Sequence, residues 1–146
     1  MADPPESSPP DQAAATGPGP SNALRNCRVL VVDDDPDVVR VVSKRLQRVG
    51  CVVESAPDGE AALHLLIADP KRWHVVLTDQ TMPHRTGEQL LRALREAGIG
   101  VPVVVMSGYS ATATPERVMA LGASAVLAKP FGGDQLVAAL TAALRR

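Results

Sequence analysis

Val75-Val76-Leu77-Thr78-Asp79-Gln80-Thr81-Met82-Pro83 decides the fold of this 146-residue chain. Three apolar residues and a Thr lead straight into one carboxylate, and a proline soon afterwards blocks any regular continuation. A short apolar run with a polar residue at its carboxyl end reads as a buried strand of a parallel sheet. In open α/β sheets, ligands bind just outside the carboxyl ends of the strands. Asp79 therefore stands where a reactive carboxylate would be displayed.

Working outward, Arg28-Val29-Leu30-Val31-Val32 reads as a first strand, and it too ends in carboxylates, Asp33-Asp34-Asp35. Pro36 suits the first turn of a helix, with Asp35 as N-cap. The helix is expected to run to about Val49, with Val38, Val39, Val42, Leu46 and Val49 inward and Gly50 ending it. Cys51-Val52-Val53-Glu54-Ser55 is a less apolar strand, as suits a sheet edge. Asp58-Gly59 opens a second helix with Ala61, Ala62, Leu65 and Leu66 inward, ending near Asp69-Pro70. Thr86-Gly87 starts a third, closed by Ala97-Gly98. A fourth strand, Val101 to Met106, leads into Ser107-Gly108-Tyr109. A helix from about Pro115 to Leu121 is stopped by Gly122, and Ala125-Val126-Leu127-Ala128 is the fifth strand, ending at Lys129-Pro130. The last helix spans about 133 to 144, with Leu136, Val137, Leu140 and Leu144 inward. Five βα units with short, right-handed connections predict an α/β, flavodoxin-like (βα)5 three-layer sandwich. Its parallel five-stranded sheet has the order 2-1-3-4-5, which brings Asp33, Asp34 and Asp79 together at the switch point.

Composition narrows the function classes. Residues 1–25 hold six of the thirteen prolines and almost nothing to bury, so they are expected to form a disordered Pro-rich tail. Residues 26–146 form the domain. From Cys27 onward there are 14 Lys/Arg against 13 Asp/Glu, so no electrostatic footprint for nucleic acid is present. Trp73, Tyr109 and Phe131 are the only aromatics, which leaves little for base stacking. Cys27 and Cys51 lie outside any C-x-x-C motif and read as reduced thiols. No apolar run approaches the ~20 residues of a membrane span, and the amino terminus lacks the features of a signal peptide. A cytoplasmic protein is expected.

Four of the five strands end in chemistry: Asp33-Asp34, Asp79, Ser107 and Lys129. Because the strands are parallel, these groups open on one edge of an otherwise aliphatic sheet. Packed carboxylates repel and call for a cation. Oxygen-only donors without His or Cys favour a hard ion, Mg²⁺ over Zn²⁺. A hard cation beside a carboxylate, a Lys and a hydroxyl makes a phosphoryl site, in which a carboxylate oxygen can act as nucleophile.

These residues carry a resemblance. Val31-Val32-Asp33-Asp34-Asp35-Pro36, Leu77-Thr78-Asp79-x-x-Met82-Pro83-x-x-x-Gly87, Met106-Ser107-Gly108 and Lys129-Pro130-Phe131 resemble, in order and over residues 26–146, the receiver domain of bacterial two-component response regulators. The resemblance implies that Asp79 is the phosphoacceptor, supplied by a phosphohistidine on a sensor histidine kinase or a histidine phosphotransfer protein. It implies Mg²⁺ held by Asp34, Asp79 and the backbone carbonyl of Thr81, with Asp33 acting mainly through water. Ser107 would hydrogen-bond the phosphoryl group, and Lys129 would pair with it across a cis bond to Pro130. Such a domain catalyses only its own phosphorylation and dephosphorylation and is not otherwise an enzyme. It reports to a downstream protein partner or passes the phosphoryl group on, and a weak homodimer is compatible with it. Because the chain stops just past the last helix, it reads as a stand-alone receiver.

Two positions depart from the family pattern. Val126 stands where an aromatic switch usually sits, and Ser107-Gly108-Tyr109 is similar to receivers attached to hybrid histidine kinases, so that Tyr109 is a candidate substitute. Thr81 and Tyr109 fall two residues after Asp79 and Ser107, positions where the resemblance implies control of hydrolysis; neither is an acid or amide, so a phosphoryl lifetime longer than seconds is expected. Arg40, Lys44 and Arg48, four apart on the first helix, form either a solvated face or a docking stripe. His84 and Arg85 read as solvated loop charges, and His64 and His74 are not spaced as metal ligands. A phosphatase of the haloacid-dehalogenase type would also use an Asp-x-Asp after strand 1, but the later residues fall in the wrong order. A pseudo-receiver that signals by binding alone does not need an intact acidic pocket.

Overall fold

The computed structural model describes residues 24–82, 85–108 and 114–145. Five strands, β1 (Arg28–Val32), β2 (Val52–Ala56), β3 (Val75–Asp79), β4 (Val103–Ser107) and β5 (Ala125–Ala128), alternate with five helices. These are α1 (Pro36–Arg48), α2 (Gly59–Ala68), α3 (Gly87–Glu96), α4 (Pro115–Ala120) and α5 (Gly133–Leu144). All strand pairings are parallel, in the order β2-β1-β3-β4-β5. The expected flavodoxin-like sandwich is the fold observed.

Although β1, β3 and β4 are mostly apolar, their side chains still alternate between two cores. Leu30, Val32, Val76, Val103 and Val105 face α2, α3 and α4, where they meet Leu66, Leu90, Leu91, Leu94 and Trp73. Val29, Val31, Val75, Leu77, Val104 and Met106 face α1 and α5, where they meet Val42, Leu46, Leu136 and Leu140. Each fully buried Leu contributes about 2 kcal/mol of transfer free energy, so aliphatic side chains suffice without aromatics. Val126, partly buried, packs against the α2–α4 core.

Local chemistry sets the helix starts. The Asp35 carboxylate accepts from the Asp37 N–H at 2.9 Å, with Pro36 beginning α1 as expected. Thr86 and Gln89 form a reciprocal capping box on α3.

Three expectations are corrected. On α2 the buried residues are Gly59, Ala62, Leu63 and Leu66, at i, i+3, i+4 and i+7. Leu65 falls off that stripe and is 41 % exposed, so the inward leucine is Leu63. β2 begins at Val52, because the Cys51 N–H is taken by Leu46 O at the end of α1 while the Val52 N–H bonds Cys27 O. β4 begins at Val103, since Pro102 has no N–H for the ladder. The expected tail, 1–25, lies outside the described residues up to 23, but Leu24 is fully buried in the α1–α5 core.

Candidate functional site

The strand register assembles the site. Val32 pairs with Thr78, so the next residues along, Asp33 and Asp79, emerge side by side. Asp79 pairs with Met106, Ser107 pairs with Ala128, and Lys129 follows directly. Four residues far apart in sequence thus reach one edge because parallel strands end together.

Asp33, Asp34 and Asp79 each offer a carboxylate oxygen, all within 4.8 Å of one another. Asp33 is 3 % exposed and Asp79 8 %, whereas Asp34 faces solvent. Lys129 Nζ donates to Asp79 Oδ1 at 2.9 Å and lies 3.6 Å from Asp33 Oδ2. The first contact is a charge-assisted hydrogen bond; the second is an ion pair beyond hydrogen-bond range. The Asp35 N–H satisfies Asp33 Oδ1 at 3.0 Å, but buried Asp33 Oδ2 has no hydrogen-bond donor.

The electrostatics follow. Burial pushes the Asp33 carboxyl above its ordinary range, and the charges of Asp79 and Asp34 push the same way; the Asp35 N–H and Lys129 oppose this. Burial pulls Lys129 down most strongly, but its hydrogen bond and attraction to Asp79, with help from Asp33, outweigh it and leave the ammonium above its usual value. Crowded carboxylates with one cation and one orphaned buried oxygen fit a hard divalent cation. The donor set is all oxygen, and Asp33 Oδ2 accepts no hydrogen bond, with the Lys129 ammonium 3.6 Å away.

The other expected residues are also at this edge. Ser107 is partly buried at the end of β4, and its carbonyl accepts the Lys129 N–H at 2.8 Å. Thr81 is exposed on the loop two residues past Asp79. The Lys129–Pro130 bond is cis. Tyr109, Pro83 and His84 lie outside the described residues. Arg85 does not read as a solvated charge: its guanidinium pairs with Glu60 at 3.0 Å over the start of α2. His64 lies beside Glu60, and His74 Nδ1 accepts the Arg28 N–H, so neither joins the acidic group.

Gln80 escaped sequence reasoning, and Gly87 was read as a helix start and motif residue without a positioning role. Gln80, 5 % exposed, follows Asp79, and its side-chain oxygen accepts the Glu88 N–H at 2.9 Å at the start of α3. The Gly87 N–H bonds Gln80 O at 3.0 Å, and a Cβ on Gly87 would stand 2.6 Å from Asp79 O. Gln80 and Gly87 therefore hold the Asp79–Gln80 backbone against α3. Beside Lys129, a cleft of about 540 Å³ runs between α1 and the β5–α5 connection, with Val38, Val41 and Phe131 among its walls.

A sequence model of the response regulator receiver domain matches residues 29–141. Response regulator MprA of Mycolicibacterium vanbaalenii is 39 % identical over 121 residues, covering 82 % of this chain and 51 % of its own. The chain spans about half the length of the curated relatives it matches. Among solved structures, a receiver domain protein from Clostridium thermocellum superposes with TM-score 0.77 at 25 % identity, covering 82 % of this chain and 95 % of its own. The receiver domain of a Francisella response regulator gives 0.73 at 30 % identity, with 82 % and 98 % covered.

Proposed function

Because the chain belongs to the response regulator receiver family, we propose that Asp79 accepts a phosphoryl group from a phosphohistidine donor and that the resulting aspartyl-phosphate switches partner binding or is passed on. The observation that carries this reading is the hydrogen bond from Lys129 to Asp79 inside the acidic group. Lys129 engages one carboxylate oxygen and leaves the other for in-line attack on phosphorus as the donor imidazole departs. After transfer, the same ammonium is placed to pair with the new phosphoryl oxygens. Ser107, on the neighbouring strand end, is the hydroxyl assigned to hydrogen-bond them. The side chains of Asp33, Asp34 and Asp79 and the Thr81 carbonyl would hold Mg²⁺. When bound, the ion supplies charge neutralisation for the carboxylates and the incoming phosphoryl oxygens.

On this reading the domain turns over no external substrate. Arg45 lines the apolar cleft beside Lys129, and Arg40, Lys44 and Arg48 are exposed on the same helix, a combination suited to a protein partner with an apolar centre and an acidic rim. The balanced charge of the domain favours a protein over nucleic acid as that partner. Among the described residues no helix is long and apolar enough to cross a membrane.

Incubation with acetyl phosphate and Mg²⁺, read by intact mass, tests the proposal. One phosphoryl group should appear on the wild type and none on Asp79→Asn. An adduct that survives the substitution, or none on the wild type, rejects Asp79 as acceptor.

A further inference from the structure

At the opposite edge of the sheet, the two cysteines meet. Arg28 pairs with Val52, so the residues one step earlier, Cys27 and Cys51, face each other across β1 and β2. The Val52 N–H bonds Cys27 O at 2.8 Å, which holds that register. Neighbouring parallel strands lie about 4.8 Å apart, within the ~4.4–6.8 Å between Cα atoms that a disulfide needs. Both side chains enter the same α1–α5 core, so they lie on one face of the sheet. Cys51 Sγ has Leu24 O as an acceptor at 3.6 Å.

We propose that Cys27 and Cys51 are a reversible dithiol–disulfide pair that staples β1 to β2 and takes peroxide or a disulfide reagent as oxidant. The thiols differ in a way that suits the chemistry. The neighbouring Cys51 thiol lowers Cys27, with help from Arg28 and against burial, while Cys27 and burial raise Cys51. Cys27 is thus the thiolate-favoured partner. It also lines a cleft of about 480 Å³ with Arg25, Arg28 and His74, which gives a small oxidant a route to it.

With hydrogen peroxide, the Cys27 thiolate attacks one peroxide oxygen, the O–O bond breaks, and the departing hydroxide takes a proton to become water. Cys51 loses its proton and attacks the Cys27 sulfenic sulfur; the S–S bond forms and the sulfenic oxygen leaves as a second water. Two thiols are oxidised by two electrons and one peroxide is reduced. A dithiol reductant reverses the reaction by exchange. Among the described residues, metal-capable side chains gather in threes only at the acidic site, so the sulfurs stand as a pair and not as part of a metal centre.

The experiment treats the full wild-type chain with hydrogen peroxide and reads intact mass, thiol titration after unfolding, and thermal unfolding. The expected result is a monomer lighter by two hydrogens, with no titratable thiol, reverting with dithiothreitol. Closing a loop of this size should raise the unfolding midpoint by about 10 °C. Cys27→Ala and Cys51→Ala should each show no such rise. Two thiols that persist, sulfinic acid as the product, cross-linking between chains, or an unchanged midpoint would overturn the proposal. None of these readouts involves Asp79, so failure of the acceptor assignment leaves this test intact.

Discussion

The two edges of this sheet are made of the same strands and end in opposite chemistry. At the carboxyl-terminal edge, Asp33, Asp79 and Lys129 are partly or wholly buried charges held against one another. At the amino-terminal edge, Leu24, Cys27 and Cys51 are buried neutral groups. The backbone explains the asymmetry. Helices begin at the carboxyl edge, where unpaired N–H groups favour acids and hydroxyls as caps, such as Asp35, Asp58 and Thr86. Helices end at the other edge, where Gly50, Gly98 and Gly122 turn the chain with positive φ. Polar side chains therefore collect at one edge before any function is asked of them. The carboxyl-terminal edge carries unfavourable electrostatics, and the amino-terminal edge buries side chains without formal carboxylate or ammonium charge.

The comparison breaks first at Gly87. A Cβ there would clash with Asp79 O at 2.6 Å, so Gly87→Val should lose about 2–3 kcal/mol in chemical denaturation and abolish the phosphoryl adduct. Wild-type stability in that variant would show that α3 does not constrain the acceptor backbone.

The next largest effect concerns the electrostatic cost of the acidic edge. Asp33 has a folded-state value raised by burial and by Asp79. The stability linked to it is therefore full below the ordinary carboxylate range and is lost as pH rises through the raised value. In metal-free protein at neutral pH, Asp33→Asn should gain on the order of 1 kcal/mol. That gain should fade as pH falls into the carboxylate range. A variant less stable than wild type at neutral pH, or a gain independent of pH, contradicts this account. Mg²⁺ should stabilise the wild type more than the variant.

The smallest effect tests whether the proposed site extends onto α1. Charge reversal at any one of Arg40, Lys44 and Arg48 should slow transfer from a phosphohistidine donor about threefold, with the acetyl phosphate reaction unchanged. Arg40 already pairs with Asp37 at 3.0 Å in an exposed contact, so its reversal should matter least. Equal transfer rates throughout would leave the stripe as a solvated face.

Much of the site was legible because its signals are local. A charged residue ending an apolar run names its own edge, and Asp79, Asp33 and Lys129 each do so. Leu65 was misread because α2 is apolar nearly all round, so several stripes fit and packing chose the one through Leu63. Gln80 was illegible for a different reason. Its partner is the backbone N–H of Glu88 across a loop, and no residue type announces that contact.

By itself, the sequence determined the five βα units, the parallel sheet and the residues brought to its carboxyl edge. Strand periodicity, helix caps and right-handed crossovers are short-range rules that the chain carries along its length. The tertiary structure alone decided the 2.9 Å contact between Lys129 and Asp79, the Asp33 oxygen left without a hydrogen-bond donor and the meeting of Cys27 with Cys51. Each depends on register between strands that are distant in sequence. A slip of one residue turns every side chain to the other face, and only the packed cores on both faces of the sheet hold that register in place.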